Sequence, residues 1–361
     1  MGTVFDYIEW RGDLSFSQVP IGEVDNLIFS MLSYLDFKQM VHVSPKAKPV
    51  SFLLAAKRYM QARKKNPTQT LGVLFSPEFI TLMTKAARSE RFRGLYMTAY
   101  VNKISMNEQK QFSAVTFLIG EDEAFVAFRG TDDTLVGWKE SFNMSLIGNI
   151  PAQREAVKYL ESIASAFPDR RLYVGGHSKG GNLAVWASVK CSAETRARIA
   201  TVYSNDGPGF SREFVSSDEY KEMRPKMKIF VPQSSFVGML QEHEEGYDVI
   251  QSTQTGLLQH DALSWRIVGG SFIHLEGVTD ECKIVSKTLK KWIQEMPPDE
   301  RKRTLDSIYA VLSANGRTLT DFSNDKARLI KAWNTFDPET RKLIRKFIRL
   351  VVYNTKKNKI K

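Results

Sequence analysis

The chain has 361 residues, 42% hydrophobic and 25% charged, which describes a globular protein with ample material for a large core and excludes a disordered or collagen-like chain. Two cysteines and five histidines argue against a disulfide framework, a zinc cage or a metal-binding array, so neither metal nor cofactor is expected. The net charge of +11 is uneven: the last 79 residues carry 20 Lys+Arg against 8 Asp+Glu and the first 282 carry 31 against 32, so a near-neutral body ends in a basic appendix.

In chain order, Met1 to Glu9 places acids where a secretory leader needs a basic and then an apolar stretch. No run of about 18 uncharged apolar residues follows, so a cytoplasmic location with reduced thiols is expected. Residues 1–93 read as a mostly helical region: Leu27 to Leu32, Ser51 to Arg63 and Ser76 to Arg88 have helical spacing. Ser76-Pro77-Glu78 is a helix start, with a capping serine and proline in the first turn. From Gly94 the period changes. Tyr96–Ile104, Gln111–Gly120 and Ala124–Arg129 are β-rich runs joined by polar turns, as in a meander. Strands and helices then alternate: a helix over Arg154–Phe167, a strand over Arg171–Gly175, a helix over Asn182–Lys190, and strands over Ile199–Tyr203, Met227–Val231 and Tyr247–Ser252. This predicts an α/β fold with a mainly parallel sheet and helices on both faces. We place the core at 94–278 and a basic helical region at 279–361.

The informative segment joins the strand at 171–175 to the helix that follows it. It contains Gly176-His177-Ser178-Lys179-Gly180-Gly181, a Gly-x-Ser-x-Gly pattern between strand and helix. That context suits a nucleophile elbow, a turn so tight that the serine backbone is strained and its flanking positions need glycine. The serine oxygen then stands at a helix N-terminus, where the dipole favours a developing anion. A glycine-rich turn of a nucleotide-binding unit would look similar, but neither Gly-Lys-Ser/Thr nor Gly-x-Gly-x-x-Gly is present.

With these residues the sequence resembles α/β-hydrolases of the class 3 lipase branch, over about residues 94–275. Phe128-Arg129-Gly130-Thr131 with Trp138 downstream is similar to a Phe-Arg-Gly-Thr/Ser motif of that branch. Gly176 to Gly181 is similar to its Gly-His-Ser-Leu-Gly-Gly, and Gly207-Pro208-Gly209 to a Gly-x-Pro turn. The chain also resembles uncharacterised bacterial lipase-like proteins. The resemblance implies an α/β-hydrolase-like fold with helical extensions and an esterase or lipase type of serine hydrolase. Its substrate would be a small-molecule or lipid-like ester.

A serine hydroxyl needs a base, and chain order asks for a histidine after the last strands. His260 fits best and His274 is next; His177 points away from its neighbour Ser178, and His243 lies in an acidic run. The acid departs from the branch, because the loop Pro232 to Gly238 contains none. Two readings stay open. Asp206 after the preceding strand is the acid, or Ser234 or Ser235 merely orients the imidazole and the chain is a degenerate scaffold or binding protein. Asp261 is too close to His260 in sequence to face its ring. The oxyanion donors implied are the amides of Lys179 and Thr131. Lys179 stands where the lipases have leucine, and three readings compete for its head: an anionic substrate, a partner such as Asp132 or Asp133, or solvent. Residues 132–150 occupy the position of a lipase lid and read either as a flap or as a buried crossover.

The helix opened by Asp337-Pro338-Glu339 is amphipathic and basic, with Arg341, Lys342, Arg345, Lys346 and Arg349 against an apolar face. It reads as docked on the body with a solvated basic face or as a contact to an anionic membrane surface. Nucleic acid is not expected, since no binding motif accompanies the charge. The oligomeric state is not legible.

Overall fold

The computed structural model describes residues 2–65, 77–105, 107–108, 110–132, 134–146, 150–235, 237–239, 246–284 and 286–287, and in the basic region 297, 299, 302–303, 306–307, 309, 326–342 and 345. The helices α1 (Val4–Arg11) and α2 (Glu23–Leu32) come first. A short β1 (Val50–Ser51) leads into α3 (Phe52–Lys65), then α4 (Glu78–Arg88) and α5 (Glu90–Arg93). The predicted meander is β2 (Tyr96–Ser105), β3 (Lys110–Ile119) and β4 (Glu123–Phe128). The alternating part runs α6 (Leu135–Leu146), α7 (Pro151–Ala166), β5 (Arg171–His177), α8 (Lys179–Lys190), α9 (Ala193–Ala197) and β6 (Ile199–Asn205). It continues with α10 (Arg212–Val215), α11 (Asp218–Met223), β7 (Met227–Pro232) and β8 (Asp248–Ile250). Then come β9 (Ile267–Val268), β10 (Ser271–Phe272), β11 (His274–Leu275) and α12 (Lys326–Thr335).

One sheet orders its strands β1-β2-β3-β4-β5-β6-β7-β8-β11, and β9 and β10 form a separate hairpin. Pairing is antiparallel from β1 to β4, parallel from β4 to β8, and antiparallel again at β11. This is the α/β-hydrolase-like fold expected, a mainly parallel sheet flanked by helices.

The faces are covered in a way the alternation did not predict. Right-handed crossovers between sequential parallel strands all return over the same face. Accordingly α7, α8, α10 and α11 share one core with Val126, Phe128, Leu172, Val174, Val202 and Ile229 of the strands. The alternate strand residues, among them Phe117, Phe125, Tyr173, Tyr203 and Phe230, point the other way, because side chains alternate along a strand. That face is closed by α1 to α5, with Leu27, Phe29, Phe52, Leu82 and Phe92 fully buried against it. The N-terminal helices therefore pack directly on the sheet.

Charge fixes the inner helix of that layer. Arg91 makes a bidentate pair with Asp25, 2.6 Å at both contacts, and donates to the carbonyls of Leu14, Val19 and Pro20. Both side chains are fully buried, so each is the other's replacement for water.

One element boundary falls differently. The helix expected from Asn182 begins at Lys179, because the elbow feeds it directly. Ser76 and His243 lie outside the described residues, as do 343–344 and 346–361 of the basic tail. Among the described residues no helix is long and apolar enough to cross a membrane.

Candidate active site

At the C-terminal end of β5 the chain turns straight into α8. Ser178 between them has φ 57° and ψ −130°, a left-handed backbone that costs about 1–3 kcal/mol for a non-glycine residue. Neighbours on both sides hold it there. Gly176 pairs with Phe128 and His177 with Asn205, and the Ser178 amide donates to the Asn205 carbonyl at 2.9 Å. The flanking glycines are steric requirements: a Cβ at Gly180 would lie 2.2 Å from the Phe128 carbonyl oxygen, and one at Gly176 would lie 2.3 Å from the Gly180 backbone. Ser178 itself is half-buried, with the first turn of α8 behind it.

Asp206 follows β6, also at a positive φ of 50°, and its side chain is fully buried. Its Oδ2 accepts from His260 Nδ1 at 2.6 Å. Its Oδ1 accepts from the Gly238 amide at 3.1 Å and from the Ser235 hydroxyl. A carboxylate thus reaches His260 from one strand earlier than the loop after β7, and that loop donates to it. Ser235 bonds Asp206 and Ser234 bonds Thr279, so the reading in which a serine hydroxyl orients His260 is corrected. Asp261 turns away, accepting from the Leu263 amide at 3.1 Å, and burial raises its pKa. His274 pairs with Glu23 at 3.1 Å.

His260 is held beside the elbow by its own main chain. His177 Nε2 donates to the His260 carbonyl at 2.8 Å, and the two rings lie 4.5 Å apart. Tyr34 from the N-terminal layer donates its hydroxyl to His177 Nδ1 at 2.9 Å, which fixes the tautomer with its proton on Nε2. Burial, then the neighbouring His260, holds the His177 pKa well below its usual value, so the ring stays neutral. His177 points away from the serine, as its neighbouring position implies, and nothing in the sequence marks Tyr34 as its partner. A second support, also unforeseen, joins Asn205 to Asn26 through two side-chain bonds of 2.9 and 3.1 Å and to Ser30 at 3.2 Å. Nothing in the sequence links these positions, because they are brought together only when α2 packs on β5 and β6.

Lys179 does pair with an acid, but the partner is Glu140 and not Asp132. Its side chain is fully buried, and Nζ donates to Glu140 Oε2 at 2.9 Å, to Gln111 Oε1 at 2.6 Å and to the Gln111 carbonyl at 2.7 Å. It reaches neither solvent nor Asp132, which is bonded to Arg129 at 3.1 Å, and Asp133 lies outside the described residues. Glu140 is the one acid of α6, and no spacing in the sequence ties it to Lys179. Thr131 lies past the end of β4, its hydroxyl bonded to that of Ser141 on α6. Lys179 is the first residue of α8, where an amide has no acceptor within the helix. Of the lid segment, Leu135, Val136, Lys139, Glu140 and Met144 are buried; Ile147 to Asn149 lie outside the described residues.

Polar supports also clamp the far side of the elbow. Asn182 accepts from Gln153 of α7 at 2.9 Å and donates to the carbonyls of Pro208 at 3.0 Å and Gly209 at 3.1 Å. Both thiols are buried and unpaired with each other, their pKa values pushed up to about 12 by desolvation, and Cys282 donates to the Ser235 carbonyl. No group of three or more His, Cys, Asp or Glu among the described residues could hold a metal ion.

Set against known proteins, residues 86–310 match a family model described as Mbeg1-like. No curated protein matches the chain. Among solved structures, a mutant of MDLA from Penicillium cyclopium is 13% identical with a TM-score of 0.37, over 70% of this chain and 85% of that one. Lip2 lipase from Yarrowia lipolytica is 11% identical with a TM-score of 0.33, over 66% and 89%. Lipase II from Rhizopus niveus is 15% identical with a TM-score of 0.31, over 43% and 67%.

Proposed function

The chain belongs to the Mbeg1-like family, and from that premise we propose that it is a serine hydrolase of esterase type, acting through a Ser178 acyl-enzyme. The observation that carries the reading is the Asp206–His260 hydrogen bond of 2.6 Å, made beside a serine held at φ 57° on a strand-to-helix turn. A carboxylate on Nδ1 selects the tautomer whose Nε2 is free of a proton and can take one.

In this reading Ser178 Oγ attacks the substrate carbonyl carbon as His260 Nε2 removes its proton. The carbonyl π pair moves to oxygen, and the amides of Lys179 and Thr131 hold that oxyanion. The carbonyl re-forms, the C–O bond to the leaving alcohol breaks, and His260 returns the proton to the alcohol. Water, deprotonated by the same imidazole, then releases the acid and regenerates Ser178. Asp206 stabilises the imidazolium in both halves and does not take the proton.

The test is labelling by a fluorophosphonate probe. Wild type is expected to label and Ser178→Ala not to; absence of labelling in folded wild type would favour the scaffold reading over the enzyme.

A further inference from the structure

The residue after the proposed nucleophile carries a fully buried ammonium, and its contacts tie the site to α6. Lys179 Nζ has three protons and three acceptors: Gln111 Oε1 at 2.6 Å, the Gln111 carbonyl at 2.7 Å and Glu140 Oε2 at 2.9 Å. Glu140 is equally inaccessible. Its Oε2 also accepts from the Gln111 amide, and its Oε1 from the Ala152 amide, each at 3.0 Å. One carboxylate on α6 therefore joins the start of β3, the first turn of α7 and the first residue of α8. A second tie lies one residue on, where the Ser141 hydroxyl meets that of Thr131. A third comes from Lys139, which pairs with Asp306 at 2.7 Å and lies 4.5 Å from the Tyr309 ring centre.

Both residues whose amides would hold the oxyanion are thus bonded through their side chains to α6. We propose that α6 is a fixed wall of the site, which sets Thr131 and Lys179 in place, and that the substrate is an ester dissolved as single molecules rather than a lipid aggregate. This rests on the serine-hydrolase reading above. The physical reason is the buried pair. Swinging α6 away as a flap would part an ammonium from a carboxylate in a low-dielectric interior and strand both, which is the costly way to break such a pair. An oil–water interface favours exposed apolar surface, whereas opening here would uncover, beside Leu135, Val136 and Met144, the charges of Glu140 and the ammonium it leaves behind. The opening would also drag on the two oxyanion residues. Lys179 on this account is a positioning residue through its side chain, and Glu140 is its counterpart.

The experiment follows hydrolysis of tributyrin by the full chain as its concentration crosses the solubility limit. The expected curve saturates smoothly among dissolved monomers and shows no jump when droplets form. A sharp rise at the solubility limit would overturn the fixed wall, because it would mean that an interface opens the site. The fluorophosphonate label separates this from the underlying reading: a chain that does not label fails as a hydrolase, whereas one that labels and jumps fails only here. Variants supply a second measurement. Glu140→Gln leaves the ammonium short of a negative partner, and kcat on a soluble ester should fall by up to about 10²-fold, as when a catalytic group is misplaced by about 1 Å, with KM within about twofold. The pair Lys179→Met with Glu140→Gln removes both charges and should recover much of that loss. A folded Glu140→Gln enzyme with wild-type kcat would refute the positioning role; should that variant fail to fold, the wild-type concentration curve still decides.

Discussion

Asp206 is the residue on which the proposed chemistry turns, and its surroundings grade the expected effects. Asp206→Asn keeps the shape but offers His260 the wrong partner, so kcat on a soluble ester should drop about 10³–10⁴-fold. Ser235→Ala removes one hydroxyl from the other carboxylate oxygen and should cost about tenfold, in line with a hydrogen bond to a charged group. Ser234→Ala should change kcat little, because that hydroxyl bonds Thr279. A near-normal Asp206→Asn enzyme would remove it from the mechanism. His177 supplies a pH dependence of a different kind. Its pKa is depressed in the folded chain and near 6.5 when unfolded, so between those values the unfolded state binds the extra proton. Its contribution to stability is therefore present above about pH 6.5 and lost as pH falls towards the folded value. The thermal midpoint should decline from pH 7 to pH 5, and His177→Asn should flatten that decline. An unchanged slope in the variant would show that other groups govern it.

At the scale of elements, the strand-to-helix turn is a tightly packed joint, and its glycines are steric requirements where others are not. A Cβ at Gly180 would meet the Phe128 carbonyl at 2.2 Å and would have to displace a central strand. Gly180→Ala should cost about 3 kcal/mol or more, the upper range for overpacking. Gly94, past the end of α5, would meet nothing within 4 Å, so Gly94→Ala should fall within about 0.5 kcal/mol of wild type. Denaturant midpoints of the two variants check the contrast. Equal, small losses would mean that β4 and α8 are less tightly joined than their spacing implies.

The whole molecule depends on its two layers being laid down by different parts of the chain. Sequential crossovers cover one face, and α1 to α5 cover most of the other, joined by Leu263, Trp265 and Phe272 from the segment after β8. A chain beginning at Gly94 would expose Phe117, Phe125, Tyr173 and Tyr203 to water and would lose Tyr34, Asn26 and Ser30 from behind the site. Exposed apolar area of that extent leads to association. The truncated chain should aggregate on size-exclusion chromatography and should not label with the probe. A monomeric, labelling fragment would make the N-terminal helices a separable module.

The sequence by itself determined the main strands and the strand-to-helix turn, and left α9 to α11 and β9 to β11 unread. Alternation of period fixed the meander and the βα units, and Gly-x-Ser-x-Gly between a strand and a helix located the turn, because both are local consequences of backbone geometry. It also favoured His260 as the candidate base and left Asp206 and the serines 234 and 235 as competing candidates to orient it. Tertiary structure decided the rest. The choice of Asp206 over the two serines depends on which side chains converge beyond β6 and β7. The Lys179–Glu140 pair joins residues 39 positions apart, and Tyr34 meets His177 across 143. Contacts of that separation leave no periodic trace in a sequence, because any polar side chain can end up buried if its partner is brought to meet it. The covering of the second face likewise follows from the handedness of crossovers acting on the complete strand order, a property of the assembled sheet and not of any one segment.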